Sequence, residues 1–160
     1  KSGSGAYFTC ETCHVIDTFD ALQRATGCLM QTVIFACVHN AGRSQMAAAF
    51  FNAMASRTKA RAVSAGTNPG PHVHPVVVEV MHEVGIDLGG AVPQKLTAEL
   101  ATGAALLITM GCGDECPFVP CLERADWPLK DPKNQPLEAV RAIREDIKTR
   151  VRELLVEKEW

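Results

Sequence analysis

From Gln31 onward, apolar positions alternate between short runs rich in β-branched residues and longer stretches with helical spacing. The first short run is Thr32-Val-Ile-Phe-Ala36, and the alanine-rich stretch from Gln45 to Ser56 carries its large apolar residues at helical spacing. A strand, a glycine-containing loop and a helix in this order are typical of βαβ units around a parallel sheet. The chain is therefore predicted to be an α/β protein.

The same alternation continues to the C-terminus. Further strands are predicted at residues 60–65, 104–110 and 125–129, and helices at 72–84, at 96–102 and from Leu137 onward. The run at 104–110 is apolar throughout, which suits the middle of a parallel sheet. The C-terminal helix has a single apolar stripe with charges elsewhere, so it is expected to pack one face on the sheet. Residues 17–29 could form a short helix, but no pattern fixes its packing.

The length of 160 residues favours one catalytic domain, because two ordinary domains would each lack a sufficient core. Residues 1–5 resemble a cloning remnant and are set aside. We therefore divide the chain into an N-terminal extension, residues 1–30, and a catalytic domain, residues 31–160.

Composition narrows the class of function. The formal charge is -2 with no basic run, which argues against a nucleic-acid or anionic membrane partner. The longest apolar stretches are far shorter than the roughly 20 residues that span a bilayer. The seven cysteines, an odd number, favour a reducing compartment over a disulfide-stapled secreted fold. The expected protein is cytoplasmic and acts on a small substrate.

The candidate chemistry lies in the loop Cys37-Val-His-Asn-Ala-Gly-Arg-Ser44, between the first strand and its helix. Such a loop can turn successive backbone N–H groups toward one point, and the helix N-terminus adds positive potential there. Arg43 offers a planar fork for two oxygens of a tetrahedral anion. The expected oxyanion-binding residues are Val38, His39, Asn40, Ala41, Gly42 and Arg43.

Cys37 opens this positive field and is expected to be a thiolate nucleophile at neutral pH. Ser44 can donate a hydrogen bond that favours the charged sulfur. Thiolate attack on phosphorus or arsenic expels an oxygen that needs a proton, so an acid is required. Asp131 is the candidate, although an Asp before Pro132 is equally typical of a turn.

Other possible functional residues have weaker support in the sequence. The side chain of His39 is expected to point away from the anion site, so it is not assigned as a base. Cys10-Glu-Thr-Cys13-His14 matches a haem-attachment pattern and, with Cys28, could begin a zinc site, but a fourth ligand is missing. No metal ligand is assigned and no bound cofactor is expected.

Several segments together resemble the arsenate reductases of the low-molecular-weight tyrosine phosphatase superfamily. They are the loop through Ala47, Ser64-Ala-Gly-Thr67, residues 77–87, Ile108-Thr-Met-Gly-Cys112, Cys116-Pro117 and Asp131-Pro132. The resemblance implies a flavodoxin-like three-layer sandwich with a four-stranded parallel sheet. It also implies Cys37 as nucleophile, Arg43 and the loop amides as oxyanion holders, and Asp131 as general acid.

The resemblance favours the reductase branch over the phosphatases. Phosphotyrosine phosphatases usually have tyrosines after the Asp-Pro pair, whereas Lys133 and Asn134 follow it here. Gln45-Met46-Ala47 is also similar to the reductases. The implied function is arsenic detoxification: arsenate forms an adduct with Cys37, and a second thiol releases arsenite. Phosphate and sulfate are expected to compete as oxyanions.

The sequence leaves open which thiol acts second and which reductant restores Cys37. Cys112 and Cys116 are closest to the relay cysteines of thioredoxin-coupled members, but the three residues between them form a shorter spacing. Gly111-Cys-Gly-Asp-Glu-Cys116 is more similar to members that use an external thiol. The reductant could therefore be thioredoxin, glutathione with glutaredoxin, or mycothiol with mycoredoxin.

Two other functions remain as alternatives. The same loop could serve a low-molecular-weight phosphotyrosine or aryl phosphatase, because a phosphocysteine only needs water to turn over. The cysteines could instead bind soft ions in an arsenite or metal sensor.

Overall fold

The computed structural model describes residues 30–111 and 122–160. Within these ranges the chain forms four strands and four helices. They are β1 (Gln31–Cys37), α1 (Arg43–Met54), β2 (Ala60–Gly66), α2 (Pro75–His82), α3 (Ala98–Ala101), β3 (Leu106–Thr109), β4 (Glu123–Asp126) and α4 (Leu137–Glu157).

The strands form one four-stranded sheet in the order β2-β1-β3-β4, and every pairing is parallel. The two central strands are almost entirely apolar and buried, as expected of strands that are covered on both faces. The edge strand β4 has the sequence Glu-Arg-Ala-Asp, and charges on an edge discourage further strand pairing. The predicted four-stranded parallel sheet is confirmed.

The core has two parts because alternate residues of β1 point to opposite faces of the sheet. Val33 and Phe35 belong to the larger cluster, with apolar residues of α1, α2 and α4. Ile34 and Ala36 belong to a smaller cluster that includes Ala101 of α3. The sheet is therefore covered on both faces, which confirms the α/β three-layer architecture.

Some predicted boundaries are wrong. The last strand ends at Asp126, not at Leu129, because Pro128 has no N–H with which to continue a ladder. Trp127 and Leu129 still pack against the larger cluster, which explains why they resembled strand residues. The second helix starts at Pro75 rather than His72, since proline is favoured in the first helical turn.

Several sequence predictions lie outside the described residues. They concern the helix at 17–29, the motif of Cys10, Cys13 and His14, and the thiols of Cys112 and Cys116. No helix in ranges 30–111 and 122–160 is both long and apolar enough to span a membrane.

Candidate active site

The loop between β1 and α1 lies at the carboxyl end of the parallel sheet. Cys37 is the last residue of β1 and is only 2% exposed, while Arg43 is the first residue of α1. This is the edge where parallel α/β folds bind their ligands. The helix also directs its N-terminal positive potential at the loop.

The segment after β2 holds the loop from outside. Amides of Thr67, Asn68, Gly70 and His74 donate to the carbonyl oxygens of Cys37, Val38, His39 and Ala41, at 2.8–3.2 Å. In a trans peptide the C=O of one residue and the N–H of the next point in opposite directions. The N–H groups of residues 38, 39, 40 and 42 therefore point away from this segment, which is the arrangement that an anion-binding nest requires.

The sulfur of Cys37 has two hydrogen-bonding neighbours. The Ser44 hydroxyl oxygen is 3.0 Å from it, and the backbone N–H of Asn40 donates to it over 3.2 Å. Asn40 reaches this position with a φ of 49°, a left-handed conformation in which asparagine is more often found than other side chains. The Asn40 N–H is a donor directed at the sulfur, whereas either atom can be the donor in the contact between Ser44 Oγ and the sulfur.

Arg43 and Asp131 form an ion pair at the mouth of the loop. Nη2 of Arg43 donates to Oδ2 of Asp131 over 2.9 Å, and Nη1 donates to the carbonyl oxygen of Leu129 over 3.0 Å. The arginine side chain is 8% exposed and the aspartate side chain 43%. The fold thus brings Asp131 into contact with Arg43, from which it is 88 positions away in sequence.

Asp131 has a turn role as well as its contact with Arg43. Its Oδ1 accepts a hydrogen bond of 2.9 Å from the backbone N–H of Lys133, as in an Asx turn. The two sequence interpretations of this residue are therefore compatible, because each carboxylate oxygen has its own partner.

Histidines flank the mouth. The Nδ1 atom of His39 lies 3.2 Å from the carbonyl oxygen of Asn68, in an exposed contact outside the loop. The ring of His74 lies near the loop: a methyl group added to Gly42 would be 3.7 Å from its Cδ2. Burial lowers the pKa of His74, and the nearby charge of Asp131 opposes that shift. His74 was not among the site residues expected from the sequence.

A polar network behind the loop was also missed. Nε2 of Gln45 donates to both the backbone oxygen and Oδ1 of Asn40, at 3.1 Å each, and the backbone N–H of Gln94 donates to the same Oδ1 at 2.9 Å. Gln45 could have been noticed as a polar residue beside the loop in an apolar helix. Gln94 could not be recognised from the sequence as part of this network, because it acts through a backbone N–H that every residue except proline has.

Metal binding has no support in residues 30–111 and 122–160. No group of three or more His, Cys, Asp or Glu side chains in those ranges could hold a metal ion.

The chain is similar to proteins of known class over most of its length. The profile of the low molecular weight phosphotyrosine protein phosphatase family matches residues 32–159. A glutaredoxin arsenate reductase of Synechocystis sp. is 35% identical over 129 residues, which are 79% of this chain and 97% of the relative.

Solved structures are similar in fold and sequence. A thioredoxin-dependent arsenate reductase of Corynebacterium glutamicum is 32% identical, with a TM-score of 0.71, over 93% of this chain and 76% of that chain. An arsenate reductase in its phosphate-binding state is also 32% identical, with a TM-score of 0.67, over 80% of this chain and 98% of that chain. The residues matched by the family profile include all the site residues described above.

Proposed function

This chain belongs to the low molecular weight phosphotyrosine protein phosphatase family, and we propose that it is an arsenate reductase with Cys37 as its nucleophile. The observation that carries the proposal is the sulfur of Cys37, held between two hydrogen-bonding groups in a loop whose amides point inward beside Arg43. The names of the relatives at 35% and 32% identity then favour arsenate as the substrate.

The first step is attack by the Cys37 thiolate on As(V). An S–As bond forms and an As–O bond breaks, so the departing oxygen needs a proton to leave as water. Asp131 is the proposed donor. Its side chain is 43% exposed and bonds Arg43 at the mouth of the loop. Arg43 and the loop amides hold the remaining oxygens.

The second step reduces arsenic. A second thiolate attacks the sulfur of Cys37, an S–S bond forms, and the electron pair of the S–As bond stays on arsenic, which leaves as arsenite. Cys112 and Cys116 are the proposed protein thiols for this step. Gly111, which directly precedes Cys112, lies so close to Arg43 that an added Cβ would be 2.9 Å from Nη1.

A thiol reductant must then restore Cys37. One solved relative is named thioredoxin-dependent and one curated relative is named a glutaredoxin arsenate reductase, so thiol reduction is the shared feature. For this chain thioredoxin, glutathione with glutaredoxin, and mycothiol with mycoredoxin are the candidates. Each operates in a reducing compartment, and the cytoplasm is the proposed location.

The sequence after Asp131-Pro132 favours reduction over phosphotyrosine hydrolysis. Lys133 and Asn134 cannot form an aromatic wall for a phenyl ring, and the single tyrosine of the chain is Tyr7. Phosphate should still bind in the loop, because one similar structure is described as phosphate-binding. Phosphate and sulfate are therefore expected to inhibit by competition.

The test is steady-state arsenite production with each of the three reductant systems, beside hydrolysis of an aryl phosphate. We expect one system to support turnover, with no activity in Cys37→Ser. The Cys112→Ser and Cys116→Ser variants then separate a protein relay from an external thiol, since only a relay requires them. Efficient phosphatase turnover with no arsenite from any reductant would contradict the proposal.

A further inference from the structure

A chain of buried hydrogen bonds leads from α1 to the reactive sulfur. Gln45 contacts Asn40, the amide nitrogen of Asn40 contacts Ser44 Oγ at 2.8 Å, and Ser44 Oγ contacts Cys37 at 3.0 Å. Asn40 and Ser44 are fully buried, and Gln45 is 6% exposed. Water is therefore excluded from most of this chain, and its donors and acceptors must satisfy one another.

The backbone N–H of Gln94 identifies which side-chain atom of Asn40 is the oxygen, and this gives the direction of each hydrogen bond between Gln45 and Cys37. A backbone N–H can only donate, so the Asn40 side-chain atom 2.9 Å from it must be the oxygen. The other side-chain atom of Asn40 is then the NH₂ group, which donates to Ser44 Oγ. With that oxygen already accepting, the hydroxyl hydrogen of Ser44 remains available for the sulfur of Cys37.

We propose that Gln45 is a positioning residue that holds the Asn40 amide in this orientation, so that Ser44 donates its hydroxyl hydrogen to the Cys37 thiolate. The inference rests on the proposed role of Cys37 as a nucleophile. The Gln45 side chain bonds Asn40, so its effect on the sulfur passes through Asn40 and Ser44.

The chemistry of Gln45 suits this task. Its NH₂ group supplies hydrogen to two acceptors of one residue, the backbone oxygen and Oδ1 of Asn40. The backbone oxygen contact also holds Asn40 in its left-handed conformation, from which its own N–H donates to the sulfur. Methionine at position 45 would fill similar space but supply no hydrogen-bond donor. Glutamate would place a negatively charged acceptor next to the two acceptor oxygens of Asn40.

The direct readout is the thiolate fraction of Cys37. Alkylation by iodoacetamide is followed across pH, and the peptide containing Cys37 is quantified by mass spectrometry so that other thiols do not interfere. The variants are Gln45→Met, Gln45→Glu and Ser44→Ala. Asn52→Ala is the matched control, because Asn52 is an amide on the same helix whose side chain, among residues 30–111 and 122–160, bonds the backbone of Ala62 and not the loop.

We expect the titration of Cys37 to move to higher pH. At the pH where half of the wild-type thiol reacts as thiolate, Ser44→Ala should lower reactivity about tenfold and Gln45→Met about threefold, since Ser44 bonds the charged group itself. Asn52→Ala should leave the titration unchanged. In a Ser44→Ala background, Gln45→Met should have a smaller effect than alone, because the route through Ser44 is already cut and only the contact through the backbone N–H of Asn40 remains.

Unchanged titration in folded Gln45→Met, or effects of Gln45→Met and Ser44→Ala that simply add, would overturn the inference. Folding is checked by circular dichroism, and if Gln45→Met does not fold, Gln45→Glu decides by the same criteria. A wild-type Cys37 that reacts no more readily than a free cysteine would instead count against the nucleophile itself, so the two failures are distinguishable.

Discussion

Gly66 is the position where the smallest change should most disturb the catalytic loop. It is the last residue of β2 and pairs with Cys37 across the sheet. A Cβ at this position would lie 2.6 Å from the carbonyl oxygen of Val38 and 2.8 Å from the backbone nitrogen of Asn40. Both atoms belong to the loop backbone, which cannot turn aside as a flexible side chain could.

The size of the displacement follows from these distances. The shorter contact falls about 0.8 Å below the 3.4 Å at which ordinary van der Waals contact begins. Misplacement of reacting groups by about 1 Å can reduce rates about 100-fold, so kcat/KM of Gly66→Ala should fall by about two orders of magnitude. Overpacking costs about 1–3 kcal/mol of folding free energy, partly offset by about 0.4–1 kcal/mol because alanine restricts the unfolded chain.

The assay compares Gly66→Ala with Gly90→Ala. An added Cβ at Gly90 meets no atom within 4 Å, so the control makes the same chemical change without a clash. Arsenate reduction is measured with the reductant that supports wild-type turnover, and unfolding free energy is measured in urea. We expect Gly90→Ala to match the wild type in activity and to be as stable or up to about 1 kcal/mol more stable, because alanine restricts the unfolded chain.

A particular result would refute the reasoning. If Gly66→Ala keeps wild-type kcat/KM within about twofold, then either the loop backbone shifts without any loss of activity or the loop does not position the reacting groups. A parallel loss of activity in Gly90→Ala would show that the effect does not come from the contacts at Gly66.

Three further predictions follow from other contacts. Arg43→Lys should lower kcat/KM by about 10- to 100-fold and weaken phosphate inhibition in parallel, because lysine lacks the planar fork; unchanged phosphate affinity would contradict this. Phe51→Ala should cost about 3–5 kcal/mol in urea unfolding, because the fully buried ring packs edge-on against Phe35 at 5.8 Å between centroids. The hydrogen bond from Arg141 lowers the pKa of Glu83, so its contribution to stability is present above the ordinary value of 4.5 and is lost as pH falls through the folded-state pKa. Urea unfolding at pH 5 and pH 3 should therefore show a larger loss in the wild type than in Glu83→Gln, and equal losses would argue against this linkage.

The sheet and the loop were predictable because their signals are local. An apolar strand followed by Cys37, Arg43 and an alanine-rich helix requires no knowledge of distant residues. The family resemblance, which the profile match confirms, added the flavodoxin-like three-layer sandwich and pointed to Asp131. The ion pair between Arg43 and Asp131 gives that long-range expectation a geometric basis.

The missed features depend on contacts between distant segments. Gln94 bonds Asn40 across 54 positions of sequence through its backbone, which no side-chain pattern reveals. His74 comes beside the loop because its own backbone N–H binds the carbonyl oxygen of Ala41. The end of β4 was predicted three residues too late, at Leu129 instead of Asp126, because Trp127 and Leu129 are apolar and the lack of an N–H on Pro128 was not taken into account.

The central claim is that the sulfur of Cys37 itself attacks arsenate. The most direct measurement is a single turnover of reduced protein with one equivalent of arsenate, quenched over time, in which arsenite and the free thiol of Cys37 are both quantified by mass spectrometry. We expect Cys37 to leave the free-thiol pool before or together with the appearance of arsenite, and we expect Cys37→Ser to form no arsenite. Arsenite released while Cys37 remains a free thiol throughout would contradict the central claim.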